Sequence, residues 1–232
     1  MKVIGIIAAM DVELEAIKNI VQDEKKVVIA KHTFYEGSIG DEKIVFVDSG
    51  VGKVNAALIT QAMIDHFKVD AVINTGIAGG LDPSLKHMSV VLGESLSYHD
   101  FDHDLMKRFY PYKDSFSGDE RLLSLMEDVF SERDLRRGNI ITGDQFISSK
   151  EKQLQLREDF QGTCVEMEGA AIAHVCDAND IPFLGVRSIS DFADDDGEED
   201  YEKFERRAAV LAGEIVVDLV GRIKDMRHKY II

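Results

Sequence analysis

The chain has 232 residues and 45% hydrophobic content, enough to bury a sizeable core, and its length suits one α/β domain spanning residues 1–232 better than two. Forty-three acidic residues against 27 basic ones give a formal charge of -16, which repels phosphate backbones and anionic membrane surfaces and so argues against nucleic acid or membrane as a partner. Two cysteines, Cys164 and Cys176, lack CxxC spacing, and no apolar leader follows a basic start, so reduced thiols in a cytoplasmic protein are expected.

Short β-branched runs alternate with helical patterns along the chain. Residues 2–9 (KVIGIIAA) read as a buried strand, and 11–21 as a helix with Val12, Ala16 and Ile20 on one face and Asp11 as its N-cap. A strand over 27–39, a Gly40-Asp41 turn and a strand over 43–50 predict a hairpin, followed by a helix over 52–67. Further strands are predicted at 70–78, 89–98, 138–147, 162–167 and 181–190, and helices at 119–132, 150–159, 169–179 and 201–226. Such alternation predicts a largely parallel or mixed sheet with helices on both faces, in which ligands gather at the strand carboxyl ends.

Those ends read AAMDVE, SGVGK, TGIAGG, TGDQFI, VEME and SISD, each small or glycine-containing and several acidic. Glycine lets backbone amides approach a ligand closely. None has the spacing of a dinucleotide fingerprint or a nucleoside triphosphate loop. The run DDDGEED fails as a calcium loop, because the frame with Gly197 sixth puts Phe192 first and Lys203 last; it reads as a solvated loop. HDFDHD sets His99 and His103 four apart among aspartates but supplies no third zinc ligand at a defined spacing, so neither a metal nor a cofactor is expected. VEME is the most demanding segment. It places Glu166 and Glu168 at a strand-to-helix turn, where a buried acid is costly without a partner.

Taken together, GIIAAMDVE, SGVGKVNAA, NTGIAGGL, YHD, TGDQFI, VEMEGAAIAHV and VRSISDFAD resemble the 5′-methylthioadenosine/S-adenosylhomocysteine nucleosidases of the nucleoside phosphorylase/hydrolase superfamily, collinearly over most of residues 1–230. The resemblance implies a single-domain three-layer α/β/α fold with a central mixed, twisted β-sheet. It implies a homodimer that cleaves the N-glycosidic bond of a small-molecule adenine nucleoside. Glu168 would hold the ribose 2′- and 3′-hydroxyls, with Met167 packed on the sugar and Glu166 as a neighbouring support. Asp191 would share a proton with purine N7, Phe146 would stack on the base, and the Ile147 backbone would pair with the purine edge. Glu13 corresponds to the water-activating carboxylate, and Arg187 to a residue steering Glu168 or the water. Met10, Val51, Gly79 and Ser190 complete the implied substrate contacts. Related readings are a hydrolase for a futalosine-type or 5′-deoxyadenosine substrate, and a non-catalytic nucleoside-binding protein.

Two departures matter. Asn74 stands where the superfamily's phosphorylases carry an arginine, so phosphate finds little to bind and hydrolysis is the expected chemistry; Ile77 stands where a serine is usual. Residues 101–116 are more charged than the apolar stretch that lines the family's 5′-alkylthio pocket, which predicts weaker discrimination between 5′-methylthioadenosine and adenosine.

Overall fold

A computed structural model describes residues 3–230; Lys2, the first residue of the expected opening strand, lies outside the described residues. The apolar run at the start forms β1 (Val3–Ala8), which sends Ile4, Ile6 and Ala8 into one core and Ile7 into another, the two-residue period of a strand buried on both faces. β1 pairs in parallel with β4 (Glu42–Asp48) on one side and β5 (Ala71–Gly80) on the other. Beyond β4 the sheet continues antiparallel through β3 (His32–Ile39) to β2 (Gln22–Ile29).

On the other side the sheet closes on itself. β5 pairs in parallel with β10 (Phe183–Asp191) and antiparallel with β9 (Cys164–Glu166). β9 runs parallel to β8 (Leu135–Thr142), β8 parallel to β6 (Val90–Tyr98), and β6 returns antiparallel to β10. The expected mixed sheet is therefore a five-strand ring with an open four-strand wing, and a short β7 (Ser115–Ser117) lies against β6.

Helices cover both faces. Ile59 and Met63 of α2 (Lys53–Phe67) and Ile172 and Cys176 of α6 (Gly169–Ala178) share one core with Ile7 and Val72. Leu122 and Met126 of α4 (Glu120–Val129) and Ile215, Leu219 and Val220 of α7 (Gly197–Tyr230) share the other with Ile6 and Phe46. Both cysteines are buried and unpaired. Among the described residues, no helix is long and apolar enough to cross a membrane.

The structure corrects several boundaries. The expected helix over 11–21 is a tight 3-10 turn, Asp11–Leu14, followed by the single-turn α1 (Glu15–Lys18). β2 starts at Gln22 rather than 27, because an exposed edge strand carries no apolar alternation to announce it. The strand expected over 27–39 is broken by Ala30 and Lys31, both left-handed at φ +50° and +67°, the two-residue turn whose twist matches a hairpin. The strand expected through 147 ends at Thr142 and gives way to a loop. Residues 101–116 fold into α3 (His103–Arg108), capped by the Asp102 carboxylate, and the start of β7.

Candidate active site

Because the ring closes, the carboxyl ends of strands distant in sequence meet at one mouth. A cleft opens there, lined by apolar side chains and a few convergent carboxyl groups, the composition of a small-ligand site. The turn after β1 lines it with Met10 and Glu13, the loop after β4 with Val51, and the end of β5 with Ile77 and Gly79. Phe146 and Ile147 enter from the loop after β8, Glu166, Met167 and Glu168 from β9 and the turn after it, and Ser190 and Asp191 from the end of β10.

The 3-10 geometry turns Glu13 back on the chain. Its Oε2 accepts from the amides of Ala9 and Met10, each at 2.9 Å, and its Oε1 from the amide of Ile77 at 3.0 Å. Burial pushes its pKa up, while these three donors and the nearby Arg187 charge oppose the shift and favour the carboxylate. The Ile77 side chain does not disturb this contact, since the backbone makes it. Gly76 is required beside it: a Cβ there would lie 2.7 Å from Glu13 Oε1.

Glu166 answers the cost of a buried acid. Its carboxylate accepts from the Thr142 hydroxyl, from the amides of Glu168 at 3.0 Å and Gly169 at 2.7 Å, and from Arg187 Nη2 at 2.6 Å. Arg187 in turn donates to the carbonyls of Asn74 at 3.1 Å and Val186 at 3.0 Å and to the Asn74 side-chain oxygen. With both groups saturated, the pair fixes the VEME turn from beneath. Arg187 itself does not line the cavity, contrary to its expected place among the substrate contacts; it reaches the site only through its neighbours.

Glu168 is held by one bond from outside its turn, Gly52 N–H to Oε1 at 2.6 Å, across 116 residues. Gly52 can present that amide because its φ of +100° is open only to glycine. Burial and the adjacent Glu166 charge push the Glu168 pKa up to about 8. Asp191 accepts from the Ser190 hydroxyl at 2.8 Å and the Ala193 amide at 2.9 Å. Burial raises its pKa too, the Ser190 and Ala193 bonds oppose the rise, and the charges of Asp200 and Asp194 add to it. The two acids are tuned differently: three amides and the Arg187 charge oppose the rise at Glu13, whereas at Asp191 two donors oppose it and two carboxylates add to it.

The expected residues other than Arg187 therefore share one cavity. Sequence reading missed Thr142 and the Gly52 amide, both of which sit inside motifs it had marked, and Tyr201, a lining residue from α7 whose helical pattern carries no site signal. Residues 101–116 contribute nothing to the cavity lining: Lys107 pairs with Asp114 at 2.8 Å and His103 Nε2 lies 2.6 Å from the Tyr98 carbonyl. HDFDHD is likewise dispersed, with Asp100 bound to Lys53 and to the Asp144 amide, and Asp102 capping α3. Among the described residues, no three His, Cys, Asp or Glu side chains converge to hold a metal.

Comparison with known proteins places the molecule. The phosphorylase superfamily model matches residues 3–221. A 5′-methylthioadenosine/S-adenosylhomocysteine nucleosidase of Haemophilus influenzae (strain PittEE) is 37% identical over 227 residues, covering 95% of this chain and 99% of the relative. One from Staphylococcus aureus (strain JH9) is 36% identical over 229 residues, covering 95% and 100%. Among solved structures, the Neisseria meningitidis nucleosidase in complex with methylthio-immucillin-A superposes with a TM-score of 0.89 at 33% identity, covering 95% of this chain and 99% of that one. Futalosine hydrolase of Helicobacter pylori also reaches 0.89, at 31% identity over 94% of this chain and 97% of that one. The chain belongs to the phosphorylase superfamily and, within it, to the 5′-methylthioadenosine/S-adenosylhomocysteine nucleosidases.

Proposed function

We propose that the protein hydrolyses the N-glycosidic bond of 5′-methylthioadenosine and S-adenosylhomocysteine, releasing adenine and the free thioribose sugar. The observation that carries this reading is the cavity's charge: its lining holds four carboxylates, Glu13, Glu166, Glu168 and Asp191, and no Lys, Arg or His. With no Lys, Arg or His in the lining, a phosphate dianion has no cation to hold it, whereas the carboxylates favour an oxocarbenium-like ribose as its charge develops.

In this mechanism Glu168 accepts the 2′- and 3′-hydroxyls. Phe146 stacks on the adenine. Asp191 delivers its proton to N7 as the C1′–N9 bond breaks, so the base leaves neutral. Glu13 takes a proton from water as the water oxygen bonds to C1′, so the elements of one water molecule are added across the broken bond. Met167 packs on the sugar, and Gly79, Ile147 and Ser190 frame the base.

The site would be completed by a second copy of the chain. Val54 and Leu58 on α2 and Phe101, Leu105, Phe109 and Tyr110 are exposed large apolar residues, and the Lys53–Asp100 ion pair joins their two segments beside the cavity residue Val51. Exposed apolar residues on two segments held together in this way suit a homodimer interface. We assign the protein to the cytoplasm on its two free thiols.

The test is base release in phosphate-free buffer. Adenine and free thioribose should appear without phosphate and in the presence of chelator; a requirement for phosphate, or a ribose 1-phosphate product, would overturn hydrolysis. The similarity to futalosine hydrolase supports a second reading, a different nucleoside cleaved by the same carboxylates, which a panel including futalosine separates.

A further inference from the structure

Asp191 sits just past a break in the sheet register. β10 pairs with β5 as far as Ile189 opposite Ala78 and resumes at Asp191 opposite Gly79, so Ser190 is skipped, a bulge-like irregularity that re-aims the side chain beside it. The chain on either side of the acid is held by side chains from elsewhere. Gln153 of α5 (Lys150–Phe160) donates to the Phe192 carbonyl at 2.6 Å. His87, in the turn before β6, presents Nδ1 to the Ser190 carbonyl at 3.1 Å. That turn is itself tied to β10, Met88 N–H to the Ile189 carbonyl at 2.9 Å and Ile189 N–H to the Ser89 carbonyl at 3.0 Å.

The other ring nitrogen faces α7. Nε2 lies 3.4 Å from Asp200 Oδ2, and the imidazole stacks on Phe204 with centroids 4.1 Å apart at 22° and meets Phe192 with centroids 4.6 Å apart. A carbonyl and a carboxylate are both acceptors, so the doubly protonated ring is the form that satisfies both. A neutral ring would hold one and turn a lone pair toward the other. Asp200 also bears on the acid: after burial, its charge and that of Asp194 push the Asp191 pKa up. The neighbouring groups on α7 are engaged elsewhere, Tyr201 donating to Glu205 and Lys203 to Glu199, with Arg207 over the Phe204 ring. One side chain therefore joins the break that aims Asp191 to a charge that weighs on it.

We propose that His87 is a positioning residue for the general acid: as an imidazolium bridging the Ser190 carbonyl and the Asp200 carboxylate, it fixes the break from which Asp191 projects and offsets the Asp200 charge at that carboxyl. His87 does not line the cavity, so it acts on the reaction only through Asp191. The two effects are separable. The hydrogen bond to Ser190 sets where the Asp191 proton is held, and the charge facing Asp200 sets how readily that proton leaves. Side-chain exposures of 27% for His87 and 22% for Asp200 leave the pair partly screened, so the electrostatic effect is modest. The inference rests on the nucleosidase reading for the role of Asp191 as proton donor.

The experiment titrates the Asp191 carboxyl by 13C NMR, its signal identified by its loss in Asp191→Asn, and measures kcat and KM for 5′-methylthioadenosine across pH in the wild type, His87→Phe, His87→Asn and Asp200→Asn. His87→Phe keeps the stacking on Phe204 and removes both ring donors and the charge. Its limiting kcat should fall about tenfold while KM stays within about twofold. Its Asp191 midpoint should rise by about half a pH unit, and Asp200→Asn should lower that midpoint by a similar amount. A residue that only supports the fold would not produce shifts of opposite sign. His87→Asn returns an amide donor toward the Ser190 carbonyl without a charge, so it should recover most of the lost kcat and keep the raised midpoint. A midpoint shift under about 0.2 pH units in His87→Phe or Asp200→Asn, two shifts of one sign, or a limiting kcat in His87→Phe within about twofold of the wild type overturns the proposal. If His87→Phe does not fold by circular dichroism, the midpoints of His87→Asn and Asp200→Asn decide by the same criterion. Failure of the wild type to release adenine would instead sink the nucleosidase reading, and the midpoints would still decide whether His87 and Asp200 act on the Asp191 carboxyl.

Discussion

Arg187 and Glu166 form an ion pair almost wholly withdrawn from solvent, Nη2 to Oε2 at 2.6 Å, with side-chain exposures of 2% and 3%. Neither charge has water to fall back on, so removing one partner strands the other. Arg187→Met and Glu166→Ala should each lower folding stability by about 3–5 kcal/mol. Urea denaturation read by circular dichroism checks this, and a loss below about 1 kcal/mol would mean that the remaining bonds carry the turn unaided.

Glu13→Gln and Asp191→Asn preserve shape while removing the proposed base and acid. Each should lower kcat by about 10²–10⁴ with an unchanged thermal transition or a higher one, since both native carboxyls are held above their usual pKa by burial. Single-turnover kinetics isolates the chemical step. Near-normal turnover in Glu13→Gln would remove that residue from water activation.

The contact between Gly76 and Glu13 gives a steric test of the same role. Gly76→Ala adds a methyl 2.7 Å from Glu13 Oε1 and 3.3 Å from its carboxyl carbon, so the carboxylate must move. We expect kcat to fall by about a hundredfold while KM changes little, because a small misplacement of a reacting group is costly. An equal loss through KM alone would point to ribose binding instead.

Stability should also depend on pH. Glu168 rises from its usual 4.5 to about 8 in the folded protein, so the folded state binds a proton that the unfolded state has released. Its stabilising contribution is therefore complete below about 4.5, declines as pH rises, and is lost above about 8. Glu13 and Asp191, also raised, act in the same direction. Tm should fall across this window, and Glu168→Gln should flatten the profile. A variant with the wild-type slope would show that Glu168 titrates normally.

Sedimentation at micromolar concentration should give about twice the 25.9 kDa chain mass. Replacing Val54 and Leu58, 78% and 50% exposed, with glutamate should produce a monomer. A wild-type monomer would leave these exposed apolar residues without the proposed partner.

The sequence made the strand ends legible because a site assembled there leaves a composition that helices and ordinary turns do not need: small residues beside acids. VEME was informative because two acids at a turn demand partners, and Glu166 finds four donors. Ring closure was not legible. The strand expected at 162–167 is present as β9, but its antiparallel pairing with β5 and the double pairing of β10 close the ring, and pairing partners leave no mark on a strand's own residues. Tyr201 was hidden for a different reason. It belongs to a helix whose apolar spacing describes its packing on the sheet, and a single residue turned toward a ligand does not alter that spacing.

Closing five strands into a ring removes most of the sheet's free edges and leaves β2 as the long outer one. An open edge is a template on which other chains can extend a sheet, and this one carries Val28 at 70% exposure. Asp23, Glu24, Lys25 and Lys26 precede it on the same strand. Mixed charges of this kind discourage a neighbour from adding in register. The wing is thereby protected against uncontrolled polymerisation, and loss of those charges would expose the Val27–Ile29 end of β2 as the molecule's point of aggregation.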